Sequence, residues 1–378
     1  FSFRFKQYVK ETLKKSLPEY IPKASLILPC KGVDPGFKEN IHAILTQDYP
    51  DYEAIFVTAT DTDPAYQVLK EIIKEGDYNI PIKLVIAGMS SIRGQKINNL
   101  LEAIKHVKPE TEIFAFVDSD IRPRKDFLRN LVNPLQFDKV GVTTGIRWYL
   151  PKHGNLGSML RSIWAAGAYP LLIDQSHNFA WGGANAIKRE TFEKANIINL
   201  LDRSISDTFA ITNGVKNIGL QIYFVPQCVV VSHEDSSLAD TLEWTNRQTI
   251  ISRVYSPPFW WTVFLTYSFS NTMLLLGFII LILWLLGKIT FVLPGILMLS
   301  LIPLEMINAA YLIPVVKHMI PEYSQEIDKL RWKYYFITPL TSILMMINSL
   351  VSLTTNEITW RGVKYRLISP TKTEVLTK

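Results

Sequence analysis

Asp118-Ser119-Asp120 follows the apolar run IFAFV and places two carboxylates two residues apart on a tight turn. Such a pair can share a hard divalent cation, Mn²⁺ or Mg²⁺, of the kind usually held by one or two carboxylates plus substrate phosphates. Bridging a diphosphate, the ion would stabilise the charge that builds on a departing nucleotide. A solvated turn is the bland alternative, and the preceding run of five apolar residues weighs against it. His233, in VSHED, offers a further metal ligand or else a structural histidine. Asp61-Thr62-Asp63 offers carboxylates to a base or ribose, although Asp63-Pro64 is equally a turn and helix-start pair. Lys96, in GQKINN, puts a point charge suited to phosphate at a helix start. Asp207, in SISDT, is either a helix cap or a general base that deprotonates an acceptor hydroxyl. Trp181-Gly182-Gly183 provides a ring that stacks on a sugar or fills a core, beside glycines that admit close backbone approach.

These groups need a scaffold. Short apolar runs at 24–29, 52–58, 82–87 and 113–117 read as buried strands, and helical patterns follow at 37–45, 65–75 and 96–107. The alternation predicts an α/β domain with a mainly parallel sheet. Ligands bind beyond the carboxyl ends of such strands, where Pro29–Lys31, Asp61–Asp63 and Asp118–Asp120 fall. Further on, 140–147 reads as a strand, 156–169 as a helix and 178–187 as a strand pair punctuated by glycine. Residues 207–217 read as a helix, 221–231 as a strand and 237–253 as a helix.

Beyond Phe259 the composition changes. Residues 262–286 carry no charge and can span the ~30 Å hydrocarbon core. A second candidate, 289–316, is interrupted by Pro294, Pro303, Glu305 and Pro314, and a third, 334–353, by Pro339 and Asn348. Basic residues at 317–333 and 361–366 favour the cytoplasmic side, which makes 334–353 a re-entrant or interfacial segment. Tyr255, Phe259, Trp260 and Trp261 suit a belt at headgroup level. The 378 residues carry a formal charge of +6 without an Arg-rich aromatic stripe, so anionic lipid rather than nucleic acid is the expected partner. Cys30 and Cys228 read as two buried thiols, with a disulfide as the alternative. The first 15 residues are basic and amphipathic, and because the chain begins with Phe, an N-terminal segment is expected to precede them.

The order LILPCKG, VTATDTD, GQKINNLLEAI, FVDSDIRP, GGANAIKRE, SISD, then the stretch around Arg253, resembles the ceramide glucosyltransferase group of inverting family 2 glycosyltransferases. The resemblance runs from about Ser25 to Arg366, and KINN, DSDIRP and the terminal ITWRG with Tyr365-Arg366 are its most specific parts. It implies a GT-A nucleotide-binding α/β domain attached to membrane segments and facing the cytoplasm. It also implies Asp61 or Asp63 near the base, Lys96 and Asp118/Asp120 at the donor and metal, Asp207 as the catalytic base, and Arg253 as the arginine of a (Q/R)xxRW motif. Two departures stand out. Ser206 replaces a frequent acidic residue before the third aspartate, and Ile250–Val254 keeps only the arginine of the second motif; Trp244, Arg247 and Gln248 lie close enough in sequence to fill the missing roles.

The chain is thus expected to have an amphipathic segment at 1–23, a GT-A domain at 24–255, a membrane region of two or three apolar helices at 256–353 and a cytoplasmic tail at 354–378. Donor-binding residues are expected to be Pro29, Lys31, Asp61, Asp63, Lys96, Asp118 and Asp120. Trp181, Gly182, Gly183, Trp244, Arg247, Gln248 and Arg253 are assigned to the acceptor or diphosphate, and Asp118, Asp120 and His233 to Mn²⁺ or Mg²⁺. The expected reaction moves a sugar, glucose foremost, from a UDP-sugar to a membrane lipid hydroxyl, in a bacterial inner membrane. A processive polysaccharide synthase predicts more spanning segments. A catalytically inactive nucleotide-sugar binding protein is the reading from a different class.

Overall fold

A computed structural model describes residues 2–174 and 177–377, so Phe1 and Lys378, the outermost residues of the first and last expected segments, lie outside the described residues. The chain divides into two compact units. One comprises Gln7–Trp148, Tyr169–Ser232 and Glu357–Lys378; the other comprises Phe1–Lys6, Tyr149–Ala168 and His233–Asn356.

The first unit opens with most of helix α1 (Ser2–Lys14) and continues through β1 (Ala24–Pro29), α2 (Phe37–Leu45), β2 (Tyr52–Thr58) and α3 (Pro64–Glu75). Next come β3 (Ile82–Ile86), α4 (Gln95–Lys105), β4 (Ile113–Val117), α5 (Phe127–Val132) and β5 (Val140–Pro151). After α6 (Leu156–Ala166), which belongs to the other unit, follow β6 (Ala184–Lys188), α7 (Arg189–Lys194), α8 (Ile197–Leu201), α9 (Asp207–Asn217) and β7 (Gln221–Glu234). The sheet order is β3-β2-β1-β4-β6-β5-β7. β1 to β4 are parallel, while β6 is antiparallel to both β4 and β5. The strands read as continuous apolar runs because both faces are covered. Leu26, Leu28, Phe56, Ala115 and Val117 face a core shared with α2, α3 and α5. Ile27, Ile55, Val57, Phe114 and Phe116 face the other core, shared with α4, α8 and α9. The chain order reverses between β1 and β4, which puts a crevice at their carboxyl ends.

Two expectations are corrected. The expected strand pair over 178–187 is a single strand, because the preceding amides do not enter a ladder. The N–H groups of Ala180, Trp181 and Gly182 donate instead to the hydroxyls of Thr212, Thr144 and Thr208 at 2.9–3.0 Å. The helix expected over 156–169 ends at Ala166. Cys30 and Cys228 are free, buried thiols, and burial pushes Cys30 up to about 12.

The second unit is helical. α10 (Leu238–Tyr255) starts at a capping box between Ser237 and Asp240 and is followed by α11 (Pro257–Leu285), α12 (Leu293–Leu299), α13 (Leu301–Met319) and α14 (Ser324–Thr354). Three stretches, Pro257–Leu285, Leu293–Met319 and Pro321–Thr354, are long and apolar enough to cross a membrane. Residues 334–353 therefore sit inside one continuous helix. α11 and α12 cross where Gly277 and Gly295 meet; a Cβ on either would lie 3.1–3.2 Å from the other's carbonyl oxygen, the small-residue contact that membrane helices use. Asn348, fully buried, donates to Thr245 and Asn246 and accepts from the Trp164 indole at 3.1 Å. Trp260 is also buried and donates to Ser352, as Tyr255 is buried, so of the expected belt it is Trp261 that is exposed.

The tail, after Thr354, forms an antiparallel sheet of β8 (Glu357–Trp360), β9 (Val363–Ser369) and β10 (Lys372–Thr377), which belongs to the α/β unit. Arg361 and Gly362 make its first turn, both with positive φ (51° and 82°), as a two-residue hairpin turn of the primed kind requires.

Glu53 is a buried carboxylate in the parallel sheet. It pairs in register with Ser25, accepts from the Ser25 hydroxyl at 2.7 Å and the Lys108 amide at 3.0 Å, and meets Lys83 at 3.1 Å. Burial would push its carboxyl up, but these donors outweigh burial and hold it below the ordinary glutamate range. A depressed carboxylate stabilises above its unfolded pKa and loses that contribution as pH falls through the folded one. We therefore expect Glu53→Gln to cost about 1–3 kcal/mol at neutral pH. Thermal unfolding across a pH series should show the gap to the parent chain closing towards acid. A gap unchanged down to strong acid would mean that the ionised carboxylate is not its source.

Candidate active site

β4 delivers Asp118 to the crevice, and its backbone N–H is fixed by the Gly183 carbonyl at 3.1 Å. α4 starts at Gly94 and brings in Lys96. α9 brings in Asp207, which is its first helical residue and not its cap. Ser206 does the capping, its hydroxyl accepting from the Phe209 amide. The serine that departs from the expected acidic residue thus leaves the Asp207 carboxylate available for another partner. That partner is Lys96, whose Nζ lies 2.9 Å from Asp207 Oδ2 and 2.8 Å from Asp118 Oδ1. The ammonium joins the carboxylate expected at the donor and the one expected as base. Burial would lower the Lys96 pKa, but Asp118 and Asp207 overcome that effect and raise it above the ordinary lysine value.

The carboxylate pair holds a second cation. Arg147 of β5 donates from Nη1 to Asp120 Oδ2 at 2.7 Å and from Nη2 to Asp118 Oδ2 at 3.1 Å, and Nη2 also meets Asp120 Oδ1. Its guanidinium lies over the Trp181 ring, 5.2 Å from the centroid, a cation–π contact. Burial, with Asp120 adding to it, raises the Asp118 carboxyl against the pull of Lys96 and Arg147. For Asp120 burial acts the same way, but Arg147, with Arg361 contributing, wins and lowers it.

Gly182 and Gly183 are required by this packing. A Cβ on Gly182 would lie 2.1 Å from Asp207 Oδ2, and one on Gly183 would lie 2.6 Å from Asp118 Oδ2 and 2.3 Å from the Trp181 ring. Lys96 also reaches the Gly182 carbonyl at 3.5 Å.

At the neighbouring strand ends, Asp63 caps α3 through the Ala65 amide and also accepts from the Gly32 amide at 2.8 Å. Asp61 is exposed, with its carbonyl accepting from Gln67. Lys31, two residues past Pro29, donates to the Arg361 carbonyl at 2.5 Å, and the Arg361 guanidinium grips Asp34 with both terminal nitrogens. The Tyr365 hydroxyl accepts from the Gln95 amide at 3.2 Å. The ITWRG stretch and Tyr365 thus border the same crevice. Neither Arg147 nor Arg361 is among the site residues expected from the sequence. Arg361 carried a signal in its motif; Arg147 is a lone charge in the otherwise uncharged run VGVTTGIRWYLP.

His233, Trp244, Arg247, Gln248 and Arg253 belong to the helical unit. The His233 ring stands edge-on to Tyr323. Trp244 contacts Tyr149 and Trp164 and carries the Arg161 guanidinium, itself paired with Glu234 at 2.9 Å. Arg247 and Gln248 are half-buried on α10, and Arg253 donates to the Thr355 carbonyl at 3.2 Å.

Arg147 Nη2 contacts both Asp118 and Asp120, so the two carboxylates do converge on one cation. That donor set fits a divalent ion whose remaining ligands come from phosphate and water. Among the described residues, no group of three or more His, Cys, Asp or Glu is placed to hold a metal.

The model for glycosyl transferase family 21 matches residues 2–373. The chain belongs to that family. Two curated relatives are named ceramide glucosyltransferases, as the resemblance implied. Ceramide glucosyltransferase 1 of Caenorhabditis elegans is 24% identical over 135 residues, which is 35% of this chain and 28% of the relative. The Gibberella zeae enzyme is 27% identical over 149 residues, 37% of this chain and again 28% of the relative. The aligned part therefore spans little more than a quarter of those relatives' length. Among solved structures, the mannosyltransferase PcManGT from Pyrobaculum calidifontis, in complex with GDP-Man and Mn²⁺, covers 93% of both chains at a TM-score of 0.47 and 16% identity. Glucosyl-3-phosphoglycerate synthase from Mycobacterium tuberculosis, with Mn²⁺ and UDP-glucose, covers 66% of this chain and 79% of its own at a TM-score of 0.39 and 16% identity.

In this family 21 protein, Gly182→Ala or Gly183→Ala should push apart the carboxylates that Lys96 ties together. A displacement of about 1 Å costs on the order of 10²-fold in rate, so we expect that loss in sugar transfer, together with a lower unfolding temperature. Full activity in Gly182→Ala would show that Asp207 tolerates displacement.

Proposed function

We propose that this protein is an inverting glycosyltransferase that moves a sugar, glucose foremost, from a UDP-sugar to the hydroxyl of a membrane lipid. The observation that carries the reading is the Lys96 bridge, which holds Asp118 and Asp207 within 3 Å of one ammonium. The donor carboxylate and the base are thereby fixed relative to one another before substrate arrives. Asp207, with its side chain 4% exposed, accepts the proton of the acceptor hydroxyl. The acceptor oxygen attacks the anomeric carbon from the face opposite the diphosphate. The carbon–oxygen bond to the diphosphate breaks, its electron pair stays on the phosphate oxygen, and UDP leaves. Single displacement inverts the anomeric centre.

Two carboxylates hold Lys96 protonated before reaction, and its charge is available to the diphosphate. A divalent ion bound at Asp118 and Asp120, Mn²⁺ or Mg²⁺, would neutralise charge growing on the leaving group. Lys31 and Arg361 add positive charge beside the same crevice and suit a polyanionic donor. Asp63, already holding the turn after β1 through Gly32, is the better placed of the two early aspartates to shape the base pocket. The three apolar stretches support an integral membrane protein; a catalytic domain facing the cytoplasm of a bacterium belongs to the proposal.

Release of UDP from UDP-glucose by the detergent-solubilised chain, with lipid extract and Mn²⁺, tests the reading. Asp207→Asn should lose about 10²–10⁴-fold in turnover while still binding UDP-glucose. Turnover retained by that variant would remove Asp207 from proton transfer.

A further inference from the structure

Arg147 has no place in the chemistry described above, yet it occupies the centre of the carboxylate pair. Its side chain is 7% exposed. It sits on a strand buried from end to end, its carbonyl is fixed by the Tyr169 hydroxyl at 2.8 Å, and Trp181 closes one face of its guanidinium. Both oxygens of Asp120 and one of Asp118 face its nitrogens, and the remaining Asp118 oxygen faces Lys96. All four oxygens that a divalent ion would use therefore already contact a cationic nitrogen.

We propose that Arg147 is the resident cation of the Asp118/Asp120 pair, and that it and a divalent ion exclude one another there. This rests on the reading of the pair as the metal-binding carboxylates of the donor site. The physical grounds are charge and geometry. Three carboxylates (Asp118, Asp120, Asp207) meet two cations (Lys96, Arg147), so the cluster is close to neutral without a metal, and a doubly charged ion added beside the guanidinium meets a like charge at contact distance. The fork of Arg147 on both oxygens of Asp120 is also the bidentate arrangement that suits a guanidinium. The ion must draw Asp120 away from Arg147, and donor diphosphate, which brings its own negative charge, favours that exchange. The pair is then held in geometry between turnovers, and metal binds well only together with donor.

The test is Mn²⁺ binding by the full chain in detergent, without nucleotide, read from loss of the free-ion paramagnetic resonance signal. Arg147→Met, close in volume to the arginine stem, should bind Mn²⁺ about tenfold or more tighter than the parent, far less than full Coulomb repulsion at an effective dielectric near 20 would give. Arg147→Lys keeps the charge and loses the fork, so it should fall between them; it serves if the methionine variant does not fold, as judged by its unfolding temperature. UDP added to the parent chain should tighten Mn²⁺ binding more than it does in Arg147→Met. An affinity in Arg147→Met or Arg147→Lys equal to or weaker than the parent's overturns the proposal. Asp120→Ala separates the two levels. If it abolishes Mn²⁺ binding while the arginine variants change nothing, only the role of Arg147 fails. If it leaves binding intact, the carboxylate pair is not the metal site and both readings fail.

Discussion

A buried ammonium persists only where carboxylates offset what it loses by leaving water, and Lys96 is such a group. Its side chain is 18% exposed and its nitrogen touches Asp118 and Asp207 within 3 Å. The three residues come from the start of α4, the end of β4 and the start of α9, so one ion pair triad fixes three elements at the crevice. Removing either carboxylate would leave the cation underpaired, which is costly in a dry site. The surrounding backbone follows from this constraint. Gly182 and Gly183 pass where no Cβ fits, and the amides of Ala180, Trp181 and Gly182 donate to threonine hydroxyls.

Each anion in the cluster also has a counter-ion suited to its geometry. Asp118 lies between the point charge of Lys96 and the fork of Arg147, whereas Asp120 takes both nitrogens of the fork. Two carboxylates two residues apart on one turn repel, and the planar guanidinium is the group that can serve both at once. The opposite displacements of their pKa values record the difference: Asp118 is raised and Asp120 lowered, although both are withdrawn from water.

Much of this was legible in the chain. β1, β2 and β4 begin and end as expected, because a strand covered on both faces must be apolar throughout and Asp or Pro marks its exit. Asp118, Asp207 and Lys96 were recognisable as separate candidates. What sequence could not give was their contact, since it depends on a strand order in which β4 lies beside β1 and β6 beside β4. Arg147 was invisible for a related reason. In a strand with both faces buried, alternation does not say whether a lone arginine points to solvent or to a site. Residues 178–183 look like a strand by composition, and only the threonines of other elements, at 144, 208 and 212, explain why they are not. Ser206 looked like a loss and proves to be the cap that leaves Asp207 for Lys96.

The C-terminal hairpin carries the same logic to the edge of the crevice. Val363–Ser369 alternates buried and exposed residues, as a strand with one wet face does. The hairpin's tight turn needs two residues at positive φ, and Gly362 supplies one without strain. Arg361 supplies the other, although such a conformation is unfavourable for a side chain of its kind. Its grip on Asp34 and its carbonyl's bond from Lys31 offset that cost. The turn therefore sets Arg361 near Asp118 and Asp120, where its charge helps to keep Asp120 ionised. A segment at the far end of the chain is in this way part of the electrostatics of the first four strands, which accounts for the specificity of the ITWRG motif without requiring that it touch the reacting atoms.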